Sequence, residues 1–287
     1  MSSSTKKVAF QGRPGAYSDL ACRQVRPDWE TIPCASFQEA ILAVQEGRAD
    51  QALLPCENNL VGRVPDIHTL LPHSNLFIIG EHFQRIEHCL IGIPGANISD
   101  LKRLHTHPVA MGQVSRLINE LHLQPVPEFD TAGSVEITLK LNNKEDGAIA
   151  SSLAAELNGL SILRRNVEDE SYNTTRFYIV SREHTIPAKG TENVMTSFLF
   201  QVKNIPAALY KVMGGFATNN INMTRLESYM ADGYFLATRF LVDIEGHIED
   251  AAVQRALAEL RFFSEDYIIL GCYPASKFRK SVYSSSH

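Results

Sequence analysis

Apolar runs and amphipathic stretches alternate along most of the chain. An apolar run at residues 8–10 predicts a short buried strand, and a Gly/Pro turn at residues 12–15 leads from it into a predicted helix. Such a turn can present backbone N–H groups to an anion, although a plain turn is an equal alternative. The next helix has both end signals, because Ser36 and Glu39 form a capping box and Gly47 follows the last apolar residue.

The same alternation of strands and helices continues further along the chain. Strands are predicted at residues 52–55 and 90–93, a turn at residues 105–108 and a helix at residues 111–121. This alternation predicts a parallel α/β architecture. The segment at residues 56–62 carries the polar side chains of Glu57, Asn58 and Asn59 directly after a strand, where open α/β sheets usually bind their ligands.

Small residues beside hydroxyl side chains occur at two further helix starts. Residues 131–134 precede a predicted helix, and a small-residue strand at residues 147–150 ends in Ser151 and Ser152 before another. Hydroxyls and N–H groups at helix N-termini form compact anion sites. Together with residues 12–18, these segments can line one cleft.

The pattern changes after a polar linker at residues 181–193. The remaining elements follow the order βαββαβ, which is that of a ferredoxin-like fold and specifies no function by itself. Its strands are predicted at residues 194–202, 221–228, 234–244 and 268–270, with a turn at Asp232 and Gly233, and its helices are a first one opened by Pro206 and a second one along residues 253–263.

Composition narrows the class of protein. The 287 residues are 44% hydrophobic and 21% charged, an ordinary globular composition with room for about two domains, and the net charge of -5 provides no basic surface for nucleic acid. The five cysteines form no C-x-x-C pair, so we expect reduced thiols. His105 and His107 lack companions at metal-ligand spacing. Neither a signal peptide nor an apolar run of roughly 18 residues is found, so we expect a cytoplasmic protein.

Six motifs in order resemble those of prephenate dehydratases. They are Phe10-Gln11-Gly12 with Gly15-Ala16-Tyr17-Ser18, Glu57-Asn58-Asn59 with Gly62, Thr106-His107-Pro108 with Gln113, Thr131-Ala132-Gly133-Ser134, Ala148-Ile149-Ala150-Ser151, and Asn173-Thr174-Thr175-Arg176-Phe177. The C-terminal part resembles an ACT domain at residues 204–210 and 226–228. The resemblance covers residues 7–275, and six ordered motifs are far more specific than any one of them.

The resemblance implies an α/β catalytic region with two lobes, similar to type 2 periplasmic binding proteins, at residues 1–187, and a ferredoxin-like βαββαβ ACT domain at residues 193–287. It implies conversion of prephenate to phenylpyruvate, water and carbon dioxide in phenylalanine biosynthesis, with L-phenylalanine as allosteric effector. A homodimer or homotetramer is expected, with no cofactor, metal, nucleic acid or membrane partner. The short stretch before Val8 implies the monofunctional form.

The resemblance also implies roles for individual residues. Thr175 is the expected acid that protonates the departing hydroxide, a role worth about 10²- to 10⁴-fold in rate, while Thr174 is expected to point away because strand side chains alternate. Substrate-binding positions are expected at Glu57, Asn58, Asn59, Thr131, Ala132, Gly133, Ser134, Ser151, Asn173, Arg176 and Phe177. Phenylalanine-binding positions are expected at Asn204, Ala207, Ala208, Leu209, Asn222, Glu227 and Ser228.

Several roles stay open at this point. Arg176 can pair with a substrate carboxylate or hold its lobe together through Glu57, because a planar guanidinium suits either partner. In the second case Glu57 is a structural acceptor. His107 and Gln113 are expected to be structural.

The sequence departs from the family at both expected sites. Asn59 stands where the family usually has serine, and Thr106 replaces a common serine. In the regulatory part, Ala207 replaces a glycine and Tyr229 replaces an arginine, with Met230 after it instead of proline. Phenylalanine is therefore expected to bind with altered affinity or coupling.

Two other functions remain compatible with the sequence. An arogenate dehydratase would act on a substrate with an amine in place of the keto group. A small-molecule sensor without catalysis would share both the cleft and the ACT domain. A single sequence does not settle the choice between prephenate and arogenate, because one side chain or a backbone shift is enough to decide it.

Overall fold

Residues 5–230 and 239–284 are described by the structure, a computed structural model. The strands in these residues are, in chain order, β1 (Lys7–Gln11), β2 (Glu30–Cys34), β3 (Gln51–Asn58), β4 (Gly62–Arg63), β5 (Phe77–Arg85), β6 (Cys89–Gly92), β7 (Arg103–Thr106), β8 (Gln124–Pro127), β9 (Asp146–Ala150), β10 (Ser161–Arg164), β11 (Thr174–Ser181), β12 (Val194–Val202), β13 (Met223–Tyr229), β14 (Arg239–Glu245) and β15 (Ser264–Pro274).

The helices lie between these strands. They are α1 (Tyr17–Val25), α2 (Phe37–Gln45), α3 (Pro65–Leu70), α4 (Pro108–Gly112), α5 (Ser115–Glu120), α6 (Thr131–Leu141), α7 (Ser152–Leu157), α8 (Ala208–Thr218), α9 (Ala251–Phe263) and α10 (Lys277–Ser284). Within the described ranges, no helix combines the length and the apolar character needed to cross a membrane. The predicted N-cap of α2 is confirmed, because the Ser36 hydroxyl accepts a hydrogen bond from the Glu39 N–H at 3.1 Å.

The chain divides into two compact units. The first comprises the chain up to Val64 together with Phe83–Phe177, and the second comprises Pro65–His82 together with the chain from Tyr178 onward. These units are not the predicted domains at residues 1–187 and 193–287, because β5 and β11 each continue along the chain from one unit into the other. The assignment of functions to the two predicted ranges stays a prediction.

The first unit contains strands of two sheets. One sheet has the order β2-β1-β3-β11-β5, with β4 on β3, and β1 is parallel to both β2 and β3. The other has the order β10-β6-β9-β7-β8, in which β7 is parallel to β8 and β9 but β6 is antiparallel to β9 and β10. The prediction of a parallel α/β architecture is therefore confirmed for β1 with β2 and β3 and for β7 with β8 and β9, and is wrong for β6. An apolar strand buried on both faces has the same local pattern whichever way its neighbour runs, so the sequence did not fix strand direction.

The helix predicted at residues 111–121 consists of two short helices, α4 and α5. The second begins separately because the Asp169 carboxylate accepts hydrogen bonds from the Ser115 N–H at 2.9 Å and the Arg116 N–H at 3.1 Å. A carboxylate at this position satisfies N–H groups that a continuous helix would pair internally. A partner more than fifty residues away along the chain could not be read from local periodicity.

Two predicted loop segments belong partly to strands. The polar side chains at residues 56–58 lie inside β3 rather than after it, and His105 and Thr106 complete β7 before His107 caps α4. Both errors arise because polar residues at the end of a strand resemble a loop. The two boundary errors change the predicted site little, since residues 56–58 and 105–106 still lie near the ends of their strands.

The second unit carries an antiparallel sheet of order β13-β14-β12-β15, and α8 and α9 contribute to its core. The predicted bounds of β12 are confirmed, and the described elements follow the predicted βαββαβ order. The first helix begins at Ala208 rather than at Pro206. The predicted turn at Asp232 and Gly233, and the first part of the strand predicted at residues 234–244, lie outside the described residues.

Candidate functional site

A cleft in the first unit is lined by apolar and neutral polar side chains. The lining residues are Tyr17, Ser18, Pro55, Asn58, Val61, Val64, Ile86, His88, His107, Val109, Ala110, Gln113, Thr131, Asn173, Thr175 and Phe177. None of these described lining residues is Lys, Arg, Asp or Glu. Five of the predicted catalytic or substrate-binding residues are among them: Asn58, Thr131, Asn173, Thr175 and Phe177.

Asn58 organises the polar end of this cleft. Its Oδ1 accepts hydrogen bonds from the Leu60 and Val61 N–H groups, both at 2.9 Å, and its Nδ2 donates to Asn173 Oδ1 at 2.8 Å and to Thr175 Oγ1 at 3.0 Å. The two backbone donors fix which end of the amide is the oxygen. Asn58 is therefore fully hydrogen-bonded and held in one orientation.

This arrangement leaves two donors facing the cleft region. Thr175 Oγ1 accepts from Asn58, and no described residue accepts the proton of its hydroxyl. Asn173 is 1% exposed, and its buried Nδ2 has no hydrogen-bond partner among the described residues. Buried donors are nearly always paired, so this donor is available to an acceptor that binds in the cleft. The neighbouring Thr174 hydroxyl instead donates to Tyr172 O at 3.0 Å, and Thr174 does not line the cleft.

Arg176 does not line the cleft. It is 2% exposed, and its Nη1 donates to Glu57 Oε1 at 2.9 Å. Its guanidinium also lies 5.9 Å from the centre of the Phe83 ring. Of the two roles considered for Arg176, this geometry favours the structural one, in which Glu57 is an acceptor that holds the end of β3 to β11.

Two of the three helix N-termini that were predicted to bind anions already have carboxylate acceptors from the protein. The Asp19 carboxylate accepts from the Gly15 N–H at 2.9 Å, and the Asp130 carboxylate accepts from Gly133 N–H and lies 3.2 Å from Arg13 Nε. Each carboxylate occupies the position that an external anion would take. Of the segment at residues 131–134, only Thr131 lines the cleft.

The remaining predicted binding residues make internal contacts. The buried Ser134 hydroxyl donates to Thr131 O at 2.6 Å, and the buried Ser151 hydroxyl donates to Gly15 O at 2.5 Å. Asn59 Nδ2 donates to Tyr172 O at 2.7 Å. In this structure Ser134, Ser151 and Asn59, like Ala132 and Gly133, do not belong to the cleft lining, so their direct contact with substrate stays a prediction.

A chain of three polar side chains at the cleft was not predicted from the sequence. His88 is 1% exposed; its Nδ1 lies 2.7 Å from the Tyr17 hydroxyl and its Nε2 lies 2.8 Å from Gln113 Oε1. Tyr17 and Gln113 belong to quoted motifs, but His88 does not. The three residues are brought together from distant segments, so no local spacing could have shown the cluster.

His107 also lines the cleft, although it was expected to be structural. Its Nδ1 accepts from the Val109 N–H at 3.2 Å, which caps α4. In the neutral ring the proton is then on Nε2, so the same imidazole serves the helix and retains a donor. His107 therefore caps α4 and also lines the cleft.

Burial of His88 gives a testable dependence of stability on pH. Desolvation lowers the pKa of His88 below its ordinary value of 6.5, although Gln113 and Glu168 oppose the shift. A lowered pKa in the folded state stabilises the fold above the unfolded-state pKa, and this contribution is lost as pH falls towards the folded-state pKa. Between about pH 7.5 and pH 5.5 we expect urea unfolding to show a steeper loss of stability for the wild type than for His88→Leu. Parallel curves for the two proteins would contradict this assignment.

The residues predicted to bind phenylalanine fall on two segments of the second unit. Asn204, Ala207, Ala208 and Leu209 precede or begin α8, and Asn222, Glu227 and Ser228 precede or belong to β13. Glu227 Oε2 lies 3.1 Å from both Arg225 Nη2 and His68 Nδ1, and Asn222 donates to Glu245 Oε2 at 3.0 Å. Whether these residues bind phenylalanine stays a prediction.

Ala207 adopts a conformation that favours glycine. Its φ of 61° and ψ of 20° lie in the left-handed region, immediately before α8. A non-glycine residue there costs about 1–2 kcal/mol, part of which is offset by the greater unfolded-state entropy of glycine. We therefore expect Ala207→Gly to raise the free energy of unfolding by about 0.5–1 kcal/mol. Thermal or urea unfolding measures this change.

Ala258 provides the matched control for that substitution. It is an exposed position inside α9, where Ala→Gly is expected to cost about 1 kcal/mol. Destabilisation of similar size at both positions would show that Ala207 is not strained.

The fold and the cleft together define a class of α/β proteins in which a lined cleft in the first unit is accompanied, later in the chain, by elements in βαββαβ order. The family model for prephenate dehydratase matches residues 8–185. The chain belongs to the prephenate dehydratase family.

Known relatives agree with this placement. The chain is 63% identical, over 95% of its length and 97% of the relative, to the bifunctional N-acyl-homoserine lactone acylase/prephenate dehydratase of Komagataeibacter europaeus. It is 35% identical, over 95% of its length and 73% of the relative, to arogenate dehydratase/prephenate dehydratase 1, chloroplastic, of Arabidopsis thaliana. The solved prephenate dehydratase of Arthrobacter aurescens, in complex with L-Phe, is 30% identical with a TM-score of 0.86, covering 98% of this chain and 97% of that one.

Proposed function

We propose that this chain is a prephenate dehydratase, which converts prephenate to phenylpyruvate, carbon dioxide and water. The observation that carries the proposal is the state of Thr175. Its oxygen accepts a hydrogen bond from Asn58, and its proton is left for an acceptor in the cleft. A donated hydrogen bond to Oγ1 makes the hydroxyl a better donor and stabilises negative charge on its oxygen.

This geometry suits an elimination in which hydroxide departs. The bond to the ring carboxylate breaks, and its electron pair forms the new ring double bond as carbon dioxide leaves. The bond to the ring hydroxyl breaks while Thr175 supplies a proton, so that the leaving group is water. The Thr175 oxygen then regains a proton from solvent. Aromatisation of the ring supplies the driving force, and the positioned acid lowers the barrier to departure.

Neutral donors bind the dianionic substrate in this proposal. The described lining residues carry no cationic side chain, whereas Asn173 Nδ2 has no acceptor among the described residues and His107 retains a ring N–H. Amide and imidazole donors that are held in place can stabilise carboxylates without a charged partner. Apolar side chains such as Phe177 and Ile86 are suited to pack against the ring.

The first test is the formation of phenylpyruvate from purified protein and prephenate, run beside an equal concentration of arogenate. Turnover of prephenate with little turnover of arogenate supports the proposal. The reverse preference would make the chain an arogenate dehydratase. This alternative is supported by the Arabidopsis relative, which is named for both substrates. No turnover of either substrate, together with tight binding of prephenate, would favour a sensor.

We further propose that L-phenylalanine regulates the enzyme and binds between the βαββαβ units of two copies in a homodimer or homotetramer. Support comes from the Arthrobacter aurescens structure, which is a complex with L-Phe. Within the described residues, β13 and β15 are the outer strands of their sheet, and an outer strand can pair with that of a second copy. Unchanged activity at saturating phenylalanine, with no heat of binding by calorimetry, would exclude this regulation. Light scattering measures the oligomeric state.

A second candidate activity is hydrolysis of N-acyl-homoserine lactones. The relative from Komagataeibacter europaeus, which matches nearly the full length of both chains, is described as an acylase as well as a prephenate dehydratase. The apolar part of the cleft lining, with Pro55, Val64 and Val109, offers a surface for an acyl chain. Release of homoserine lactone from a long-chain substrate tests this activity. If prephenate inhibits that release competitively, both reactions use the same cleft.

A further inference from the structure

His88 has one partner for each of its ring nitrogens, and both partners line the cleft. Nε2 lies 2.8 Å from Gln113 Oε1, and Nδ1 lies 2.7 Å from the Tyr17 hydroxyl. The residue is 1% exposed and sits between α1 and the end of α4. Its ring also meets the Tyr17 ring edge to face, at 5.5 Å between centroids. The imidazole is therefore fixed both by packing and by two hydrogen bonds.

The two hydrogen-bond partners of His88 determine which ring nitrogen carries the proton. An amide oxygen only accepts, so Nε2 carries the proton and donates to Gln113. In a neutral ring Nδ1 then has a lone pair. The single proton of the Tyr17 hydroxyl has two acceptors within reach, His88 Nδ1 at 2.7 Å and Glu87 O at 3.2 Å, and the shorter contact is the one to Nδ1. With the proton on Nε2, the oxygen of the Gln113 amide faces His88. The –NH₂ group of the same amide then points away from His88, and no described residue accepts a hydrogen bond from it.

A fixed –NH₂ group matters because the cleft contains no cationic side chain among its described lining residues. A carboxylate that binds there depends on neutral donors, and a neutral donor is effective only when its orientation is held. A free glutamine side chain would lose rotamer entropy on binding and could present its oxygen to the anion instead.

We propose that His88 is a positioning residue of this site. His88 fixes the orientation of the Gln113 side chain so that the Gln113 –NH₂ group faces a carboxylate of the bound substrate, and it holds the Tyr17 hydroxyl at the cleft wall. The proposal rests on the proposed dehydratase function. His88 itself need not touch the substrate, since it acts through its two neighbours.

The charged groups around His88 determine the protonation state in which its hydrogen bonds to Gln113 and Tyr17 can form. Glu168 accepts a hydrogen bond from the backbone N–H of His88 at 2.9 Å, and Arg85 lies 3.5 Å from Glu168. The Glu87 carbonyl oxygen is the second acceptor within reach of the Tyr17 hydroxyl, at 3.2 Å. Burial keeps the pKa of His88 lowered, and burial raises the pKa of Tyr17, so both groups are neutral at neutral pH. Protonation of His88 would remove the Nδ1 lone pair and break the bond from Tyr17.

Three substitutions at His88 separate the two hydrogen bonds. In His88→Gln the side-chain amide reaches the position of Nε2 and can still donate to Gln113, whereas in His88→Asn it reaches only the position of Nδ1. His88→Leu keeps bulk and removes both bonds. We expect kcat/KM for prephenate to fall by about 10- to 100-fold in His88→Leu and His88→Asn, and by less than about tenfold in His88→Gln, mainly through a raised KM. Thermal unfolding of each variant shows whether it is folded under assay conditions.

A double-mutant cycle with Gln113→Leu tests whether His88 acts through Gln113. If it does, the fold-loss in His88→Leu/Gln113→Leu is smaller than the product of the two single fold-losses, because His88→Leu has already released the Gln113 amide, while the part of the loss that passes through Tyr17 remains. Additive losses, or equal losses in all three His88 variants, would overturn the proposal. Should every His88 variant fail to fold, ¹⁵N NMR of the wild type decides the matter: a proton on Nε2 supports the assignment, and a proton on Nδ1 overturns it.

Failure of this positioning role can be distinguished from failure of the proposed dehydratase function. A wild-type protein that does not turn over prephenate refutes the dehydratase. A wild-type protein that does so, with His88→Leu unchanged in KM and kcat, refutes only the positioning role.

Discussion

Replacing Thr175 with valine is expected to lower kcat for prephenate by about 10² to 10⁴ while KM changes little, since a positioned acid acts in the transition state and contributes little to ground-state binding. Valine has nearly the shape of threonine, so the cleft wall is retained. The Asn58 amide loses one acceptor but keeps its bonds to Asn173 Oδ1 and to two backbone N–H groups. The variant therefore removes the proton donor with limited structural damage.

Two further variants make this result specific. Thr175→Ser keeps the hydroxyl and is expected to retain activity within about tenfold of the wild type, because only a methyl group is lost. Thr174→Val is the matched control at the adjacent position, whose hydroxyl donates to Tyr172 O outside the cleft. Steady-state formation of phenylpyruvate measures all three. Equal losses in Thr175→Val and Thr174→Val would show that the strand, rather than the Thr175 hydroxyl, had been disturbed.

The distinction between these two threonines could be drawn from the sequence. Alternation along a strand indicated that only one of them points into the cleft, and the motif resemblance selected Thr175. The structure adds what the sequence could not, namely that Asn58 donates to Thr175 and leaves its proton available. That contact joins β3 to β11, which are separated by more than a hundred residues along the chain. Local patterns predict which side chain faces a site, but not which distant group activates it.

Two of the predicted anion-binding helix starts have acidic neighbours that were visible in the sequence. Asp130 immediately precedes Thr131, and aspartate is among the preferred N-cap residues. Asp19 lies four residues after Gly15 and reaches back to its N–H group. Counting acidic residues beside each helix start would have shown that the protein supplies its own acceptors there. His88, by contrast, has no such local signal, because its partners Tyr17 and Gln113 lie in other segments.

The second largest effect is expected for Gly15→Ala, a change in the loop before α1. Gly15 has φ of +87°, and an added Cβ would lie 2.7 Å from Ala154 Cα and 3.0 Å from Ala154 Cβ. This close approach is held by the Ser151 hydroxyl, which donates to Gly15 O. Left-handed strain of about 1–2 kcal/mol and overpacking of about 1–3 kcal/mol then add to a loss of about 2–5 kcal/mol in unfolding free energy.

Gly95→Ala separates the two contributions. Gly95 lies in the same unit with a similar φ of +78°, and its added Cβ would meet only the flexible end of Lys144, at 3.9 Å. We expect this variant to lose only the strain part, about 1–2 kcal/mol. Urea unfolding of both variants and the wild type under one condition gives the difference. If the two variants were destabilised equally, the contact between the residue 15 loop and α7 would be loose, and the motif glycine would be required for its backbone conformation alone. A clear excess in Gly15→Ala would show that close packing of these two segments is what excludes any larger residue at this edge of the cleft.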